Sequence, residues 1–152
     1  MDVNLDDPRR DDVSALLQQH LDDMHAESPP ESVHALDLDA LTAPGITFVT
    51  ARADDGALLG CGAIKVLGDH GEIKSMRTTD AARGRGVAAA VLGWLIEEAR
   101  RRGVARVSLE TGTQDYFASA VRLYQRHGFV DCGPFGDYRL DPYSRFMTIA
   151  LD

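Results

Sequence analysis

Cysteine is scarce in this 152-residue chain, basic residues are outnumbered, and no apolar run is long. The two cysteines, Cys61 and Cys132, sit in no Cys-x-x-Cys spacing and beside no histidine cluster. That excludes a disulfide scaffold or a zinc ribbon, and both are expected as reduced thiols of a cytoplasmic protein. The five histidines are scattered, so no metal is expected. Sixteen Lys and Arg against twenty-four Asp and Glu leave a formal charge of −8, the wrong sign for a broad nucleic-acid or anionic-membrane surface. The longest apolar run, Gly86 to Ile96, has eleven residues, whereas a bilayer span needs about 20. The first twelve residues are acidic and lack the apolar core of a secretory signal. What is present is an ordinary globular composition, 44 % apolar and 26 % charged. One domain over residues 1–152 can bury roughly 68–70 % of its unfolded surface.

The patterning is mixed, with no repeat. Val3–Asp6 reads as a short strand. Asp11–Met24 reads as a helix, with Val13, Leu16, Leu17, His20, Leu21 and Met24 at helical spacing. From His25 to Gly45 three prolines break regular structure around a short helix near Ser32–Leu41. Ile46–Arg52 and Ala57–Leu67 flank Asp54-Asp55-Gly56, a hairpin signature. A turn at Gly68–Gly71, which leaves His70 solvated, leads into a strand from Glu72 to Thr78. A loop to Arg85 precedes a helix from Gly86 to Arg102, whose arginine-rich end is stopped by Gly103. The strand Val104–Thr111, a helix closed by Gly128, and short strands near Phe129–Cys132 and Phe146–Leu151 complete an α/β or α+β pattern with six or seven strands.

Arg83-Gly84-Arg85-Gly86-Val87-Ala88 is the stretch with chemistry in it. Glycines let successive amides converge on an anion, and the free N–H groups of a helix start add partial positive charge. Two phosphate-bearing ligands compete for it. Gly84-x-Gly86-x-x-Ala89, with Glu110 about twenty residues on, formally matches a dinucleotide fingerprint. That fingerprint should follow a parallel strand directly, yet Thr79–Arg83 intervene and an antiparallel meander precedes them.

Arg83-x-x-Gly86-x-Ala88, followed by Ala120-x-x-Leu123-Tyr124-x-x-x-Gly128-Phe129, resembles the GNAT superfamily of acetyl-CoA-dependent N-acetyltransferases. The tail, Pro134-Phe135-Gly136-x-Tyr138 and Ser144-x-Phe146-Met147, is similar to a small bacterial group labelled YsnE-like. The resemblance implies a mixed sheet of six to seven strands flanked by helices, acetyl-CoA as donor, and direct transfer to a primary amine of a small molecule or peptide. It also implies a pyrophosphate cradle at Arg83, Gly84, Arg85, Gly86, Val87 and Ala88. Met76, Arg77 and Thr78 are the implied backbone contacts for the pantetheine arm. Tyr124 is implied as proton donor to the leaving thiolate. Glu72 is implied as general base, with Glu110 in reserve; read from its strand position alone, Glu72 is instead a solvated edge residue or an ion-pair partner of Lys74 on the same face.

Glu110, Thr111, His34 and Tyr138 are the acceptor-side candidates; His20 reads as structural. Because the family often dimerises, a homodimer is compatible with the chain. A non-catalytic acyl-CoA-binding module would keep the Arg83 loop but need neither Glu72 nor Tyr124.

Overall fold

The computed structural model describes residues 1–33 and 38–151. His34 lies outside them, as does the middle of the helix expected near Ser32–Leu41. Within the described residues that region holds a single turn at Pro30–Ser32 and a short helix, Leu38–Leu41.

Seven strands form one mixed sheet: β1 (Asp2–Leu5), β2 (Ile46–Arg52), β3 (Leu58–Leu67), β4 (His70–Thr78), β5 (Arg106–Gly112), β6 (Val130–Cys132) and β7 (Ser144–Ala150). Their spatial order is β1-β2-β3-β4-β5-β7-β6. Among the described residues only β4 and β5 pair in parallel. A parallel pair needs a crossover, and α3 (Val87–Arg101) supplies it. The remaining helices are α1 (Asp11–Glu27), α2 (Leu38–Leu41) and α4 (Ala118–Arg126). No helix among the described residues is long and apolar enough to cross a membrane.

Period-2 alternation divides the core between the two sheet faces. On β2, Phe48 joins Val13, Leu16 and Leu17 of α1 with Leu41 and Ala63. Its neighbour Val49 points the other way, to Leu92, Leu95 and Ile96 of α3 with Ile64 and Leu109. Each such aliphatic side chain contributes about 1.5–3 kcal/mol on burial.

Two departures from regular pairing position the site. The β4–β5 ladder runs from His70 opposite Arg106 to Ile73 opposite Leu109 and stops, although both strands continue. Beyond Ile73 the strands part and leave a cleft. On the other side of β4, Cys61 faces Arg77 but Ala63 faces Lys74, so Ser75 and Met76 together oppose Gly62. This is a β-bulge, and Ser75 carries φ 57°, the lone positive φ of a non-glycine among the described residues. Gly62 permits it: a Cβ there would sit 2.6 Å from Met76 Sδ and 2.7 Å from Val91 Cγ1.

His70 departs from expectation. It opens β4 rather than lying in a solvated turn; its Nε2 is 2.8 Å from Ser108 Oγ and its ring meets Phe135 edge-on at 5.5 Å. The expected turn at Gly68–Gly71 is shorter because β4 starts earlier. Both cysteines are free thiols, Cys61 buried and Cys132 half-buried.

Candidate active site

The opening between β4 and β5 is a cavity of about 630 Å³ running from the start of α3 to the far wall at Tyr138. Nearly every described candidate from the sequence borders it: Glu72, Met76, Arg77, Thr78, Arg83, Gly84, Gly86, Val87, Ala88, Glu110, Thr111, Tyr124 and Tyr138. Arg85 is exposed in the same loop without lining the cavity.

At one end the glycine turn enters α3. Gly84 and Gly86 both have φ 78°, a left-handed conformation that costs an L side chain roughly 1–2 kcal/mol. Neither would meet an atom within 4 Å if given a Cβ, so conformation rather than space requires glycine. Gly86 is the N-cap of α3; no side chain caps this helix start and no acidic residue occupies its first turn. Its leading amides are therefore available to an external anion. Arg83 holds Asp80 in an exposed pair at 3.0 Å. Arg126 of α4, which the sequence reading missed, lines the same cavity. Neither Arg85 nor Arg126 has an ion pair or side-chain hydrogen bond among the described residues. An arginine in the last turn of an amphipathic helix carries no sequence signal beyond a favourable helix-dipole position, so nothing in the spacing of α4 points to it.

At the other end the polar groups are tied together. Lys74 Nζ donates to Glu72 Oε2 at 3.0 Å and to Tyr138 Oη at 2.9 Å, while Tyr138 Oη donates to Glu72 Oε2 at 2.5 Å. Tyr138 is held against Phe135 and Phe146, with ring centroids 5.1 and 5.5 Å away. The Glu72–Lys74 pair expected from their shared strand face is thus present. Burial pushes the Glu110 carboxyl up to about 7; Ser144 and Lys74 oppose the rise, and Glu72 and Asp141 add to it. Burial, with a contribution from Glu110, also raises the Tyr124 hydroxyl, which therefore stays protonated at neutral pH. Tyr124 packs against Phe129 with centroids 5.9 Å apart, joining the two conspicuous aromatics of its motif.

The third wall comes from α1 and the turn before α4. Arg77 donates to Asp23 in a short ion pair and to Tyr116 Oη at 3.0 Å. Its side chain thus turns to α1 while its backbone stays on the cleft strand. His20 borders the cavity as well as the apolar stripe of α1. Burial, and then the Arg77 charge, hold its imidazole down to about 4 against the pull of Asp23, so it is neutral at physiological pH. Met24 and Tyr116 complete this wall; no motif marked either. Three contacts tie the rim together: Ser32 Oγ to Asp141 at 2.6 Å, Gln114 Nε2 to the Glu27 carbonyl at 2.8 Å, and Thr113 Oγ1 to the Pro142 carbonyl at 2.9 Å.

A dinucleotide site would need a doubly wound parallel sheet, and this one has a single parallel pair. The family comparison agrees with the other reading: residues 13–129 match the acetyltransferase (GNAT) family. The chain is 50 % identical over 152 residues to YsnE of Bacillus subtilis, an uncharacterized N-acetyltransferase, covering 99 % of this chain and all of that protein. It is 47 % identical over 150 residues to YedL of Escherichia coli, likewise an uncharacterized N-acetyltransferase, covering 98 % and 94 %. Among solved structures, a candidate acyl-CoA N-acyltransferase from Klebsiella pneumoniae superposes with a TM-score of 0.84 at 28 % identity, over 99 % of this chain and 97 % of that one. A glycine-cradled helix start, a parted β4–β5 pair and near-full-length relatives lead to one assignment: the chain belongs to the GNAT acetyltransferase family and is an N-acetyltransferase.

Proposed function

We propose that the chain moves an acetyl group from acetyl-CoA to a primary amine by direct attack, with Glu110 as general base and Tyr124 as proton donor. The observation that carries this is a single cavity joining the uncapped start of α3 to Glu110 and Tyr124, whose protonation preferences differ in the required sense. Acetyl-CoA would supply a thioester acetyl group. Its pyrophosphate fits the amides from Gly84 to Ala88 with Arg83 and Arg85 beside them, because guanidinium groups add charge-assisted bonds. The edge of β4 at Met76–Thr78, which has no β5 partner, offers backbone groups to an extended arm.

An alkyl ammonium near pKa 10 must lose a proton before it attacks. A buried carboxyl poised at about 7 is matched to that task better than one already accepting two bonds. The sequence reading placed Glu72 first; in the fold its Oε2 is taken up by Lys74 and Tyr138, and this supports Glu110 as base and Glu72 as the group that fixes that wall. Tyr124 keeps its proton until a thiolate leaves beside it. A thiol of pKa about 8.5 is a fair leaving group unaided, so Tyr124→Phe should lower kcat roughly 10-fold and leave the KM for acetyl-CoA nearly unchanged.

The test is release of free CoA from acetyl-CoA across a panel of primary amines. Turnover with one amine class is the expected result; tight acetyl-CoA binding with no turnover on any amine would instead support the acyl-CoA-binding module. Arg126→Ala should raise the KM for acetyl-CoA about 5- to 10-fold without changing kcat at saturation, since a charged hydrogen bond contributes about 1.5–3 kcal/mol when buried and less at an exposed site. An unchanged KM would remove Arg126 from the phosphate end.

A further inference from the structure

The cations along the cavity are not equally matched, although Arg83 in the glycine loop keeps its exposed pair with Asp80. At the phosphate end Arg85 and Arg126 are left without protein partners among the described residues. Away from the glycine loop, on the Glu72 wall and on the wall that α1 supplies, both cations are already matched and withdrawn from water. Lys74, with its side chain 9 % exposed, is bonded to Glu72 and Tyr138. Arg77, with its side chain 6 % exposed, is bonded to Asp23 and Tyr116. His20, the remaining base on that wall, is neutral. One further carboxyl, Glu110, lines the same space and has no ion pair among the described residues. The acceptor end therefore offers one acid more than it has cations, and the nearby wall adds thioether and aromatic surface from Met24, Tyr116, Phe117 and Tyr138 beside the neutral hydroxyls of Ser75 and Thr111.

We infer that the acceptor is a primary amine on an apolar or aromatic body bearing no carboxylate, so that a decarboxylated amine is used and the corresponding α-amino acid is refused. This rests on the amine-acetylating reading above. An incoming ammonium finds Glu110 and surrenders its proton there. At this end a carboxylate carried in with it meets no cation that lacks a carboxylate partner; Arg77 Nε, which has no hydrogen-bond partner among the described residues, is buried. The incoming carboxylate must lie uncompensated beside Glu110 and Glu72 or displace Glu72 from Lys74, and either course strands a largely buried charge; displacing the half-exposed Asp23 from Arg77 breaks a short ion pair instead. The aromatic wall suits a flat or branched apolar substituent, which needs no polar partner.

Three acceptors of nearly equal size separate charge from shape: 2-phenylethylamine, L-phenylalanine and L-phenylalaninamide. In the wild-type enzyme kcat/KM, corrected for the free-amine fraction, should favour 2-phenylethylamine over L-phenylalanine on the order of 100-fold, with the amide much closer to the amine than to the acid. Glu72→Gln, which strips Lys74 of its carboxylate, should shrink the amine-to-acid ratio to about 10-fold or less, because a cation is then available to the substrate. Equal use of L-phenylalanine and 2-phenylethylamine overturns the inference while leaving amine acetylation intact. Equal rejection of the amide and the acid overturns it too, since size would then be deciding. Absence of CoA release with every amine tested removes the catalytic reading itself, a different result from preference for the acid.

Discussion

Glu110→Gln should lower kcat/KM for the acceptor by roughly 10²- to 10⁴-fold, the range that a positioned general base contributes. The substitution keeps the side chain's shape and its neighbours Ser144 and Lys74 but cannot accept a proton from the substrate. The pH profile distinguishes this from a packing defect. In the wild type the carboxyl, lifted to about 7 by burial, must be ionised to act. Activity therefore rises as pH climbs through about 7 and then levels, once the free-amine fraction is divided out. Glu72, Asp141, Lys74 and Ser144 all bear on that ionisation, and Tyr124 and Tyr138 feel the charge in turn. In Glu110→Gln the limb near 7 should disappear along with the rate. A mutant that is slow but keeps the limb would move the base elsewhere, with Glu72 next.

The same group sets a stability term of opposite sign to the catalytic use proposed for it. Its folded pKa lies above the ordinary carboxyl value of 4.5, so the folded state binds the proton more tightly than the unfolded chain. That stabilisation is fully present below about 4.5 and is lost as pH rises through about 7. With Glu110 as the proposed base, activity is expected in the pH range where its carboxylate opposes folding, as for a residue kept for chemistry.

The helix start at Gly86, the hairpin at Asp55-Gly56 and the Tyr124 segment were legible in the sequence because each depends on local chemistry. A left-handed glycine, a turn dipeptide and an amphipathic stripe announce themselves within a few residues. The site's third wall was not legible. Arg77 reads from sequence as a backbone contact on a strand, and its partner Asp23 is one of several acids along α1; only the fold brings them together. The surroundings on which the proposed preference for Glu110 over Glu72 rests were hidden for the same reason. Ionisation preference follows from burial and from which side chains close on a carboxyl, and Tyr138 reaches Glu72 across sixty-six positions of sequence. His70 looked solvated because the expected turn runs two residues too far, which hid its bond to Ser108 on the neighbouring strand.

Removal of Asp23 should be the most damaging single change to stability outside the apolar core. Arg77 is almost fully enclosed, and Asp23→Ala would leave its guanidinium with Tyr116 as its one side-chain partner. Breaking a buried pair from one side typically costs about 3–5 kcal/mol. Asp23 itself is 38 % exposed, so water can enter, and about 2–3 kcal/mol is the better expectation here. For a domain of this size that lowers Tm by roughly 4–12 °C. Arg77→Met, which removes the charge and keeps an apolar stem, should cost less, because the surviving carboxylate can rehydrate. The double variant Asp23→Ala, Arg77→Met should then recover much of the loss seen in Asp23→Ala alone, giving a coupling energy of about 1–2 kcal/mol in a thermal double-mutant cycle. Strict additivity would show that the two side chains do not act as a pair. Recovery of stability without recovery of acceptor KM would show that the pair, beyond holding α1 to β4, sets the shape of the wall the amine meets.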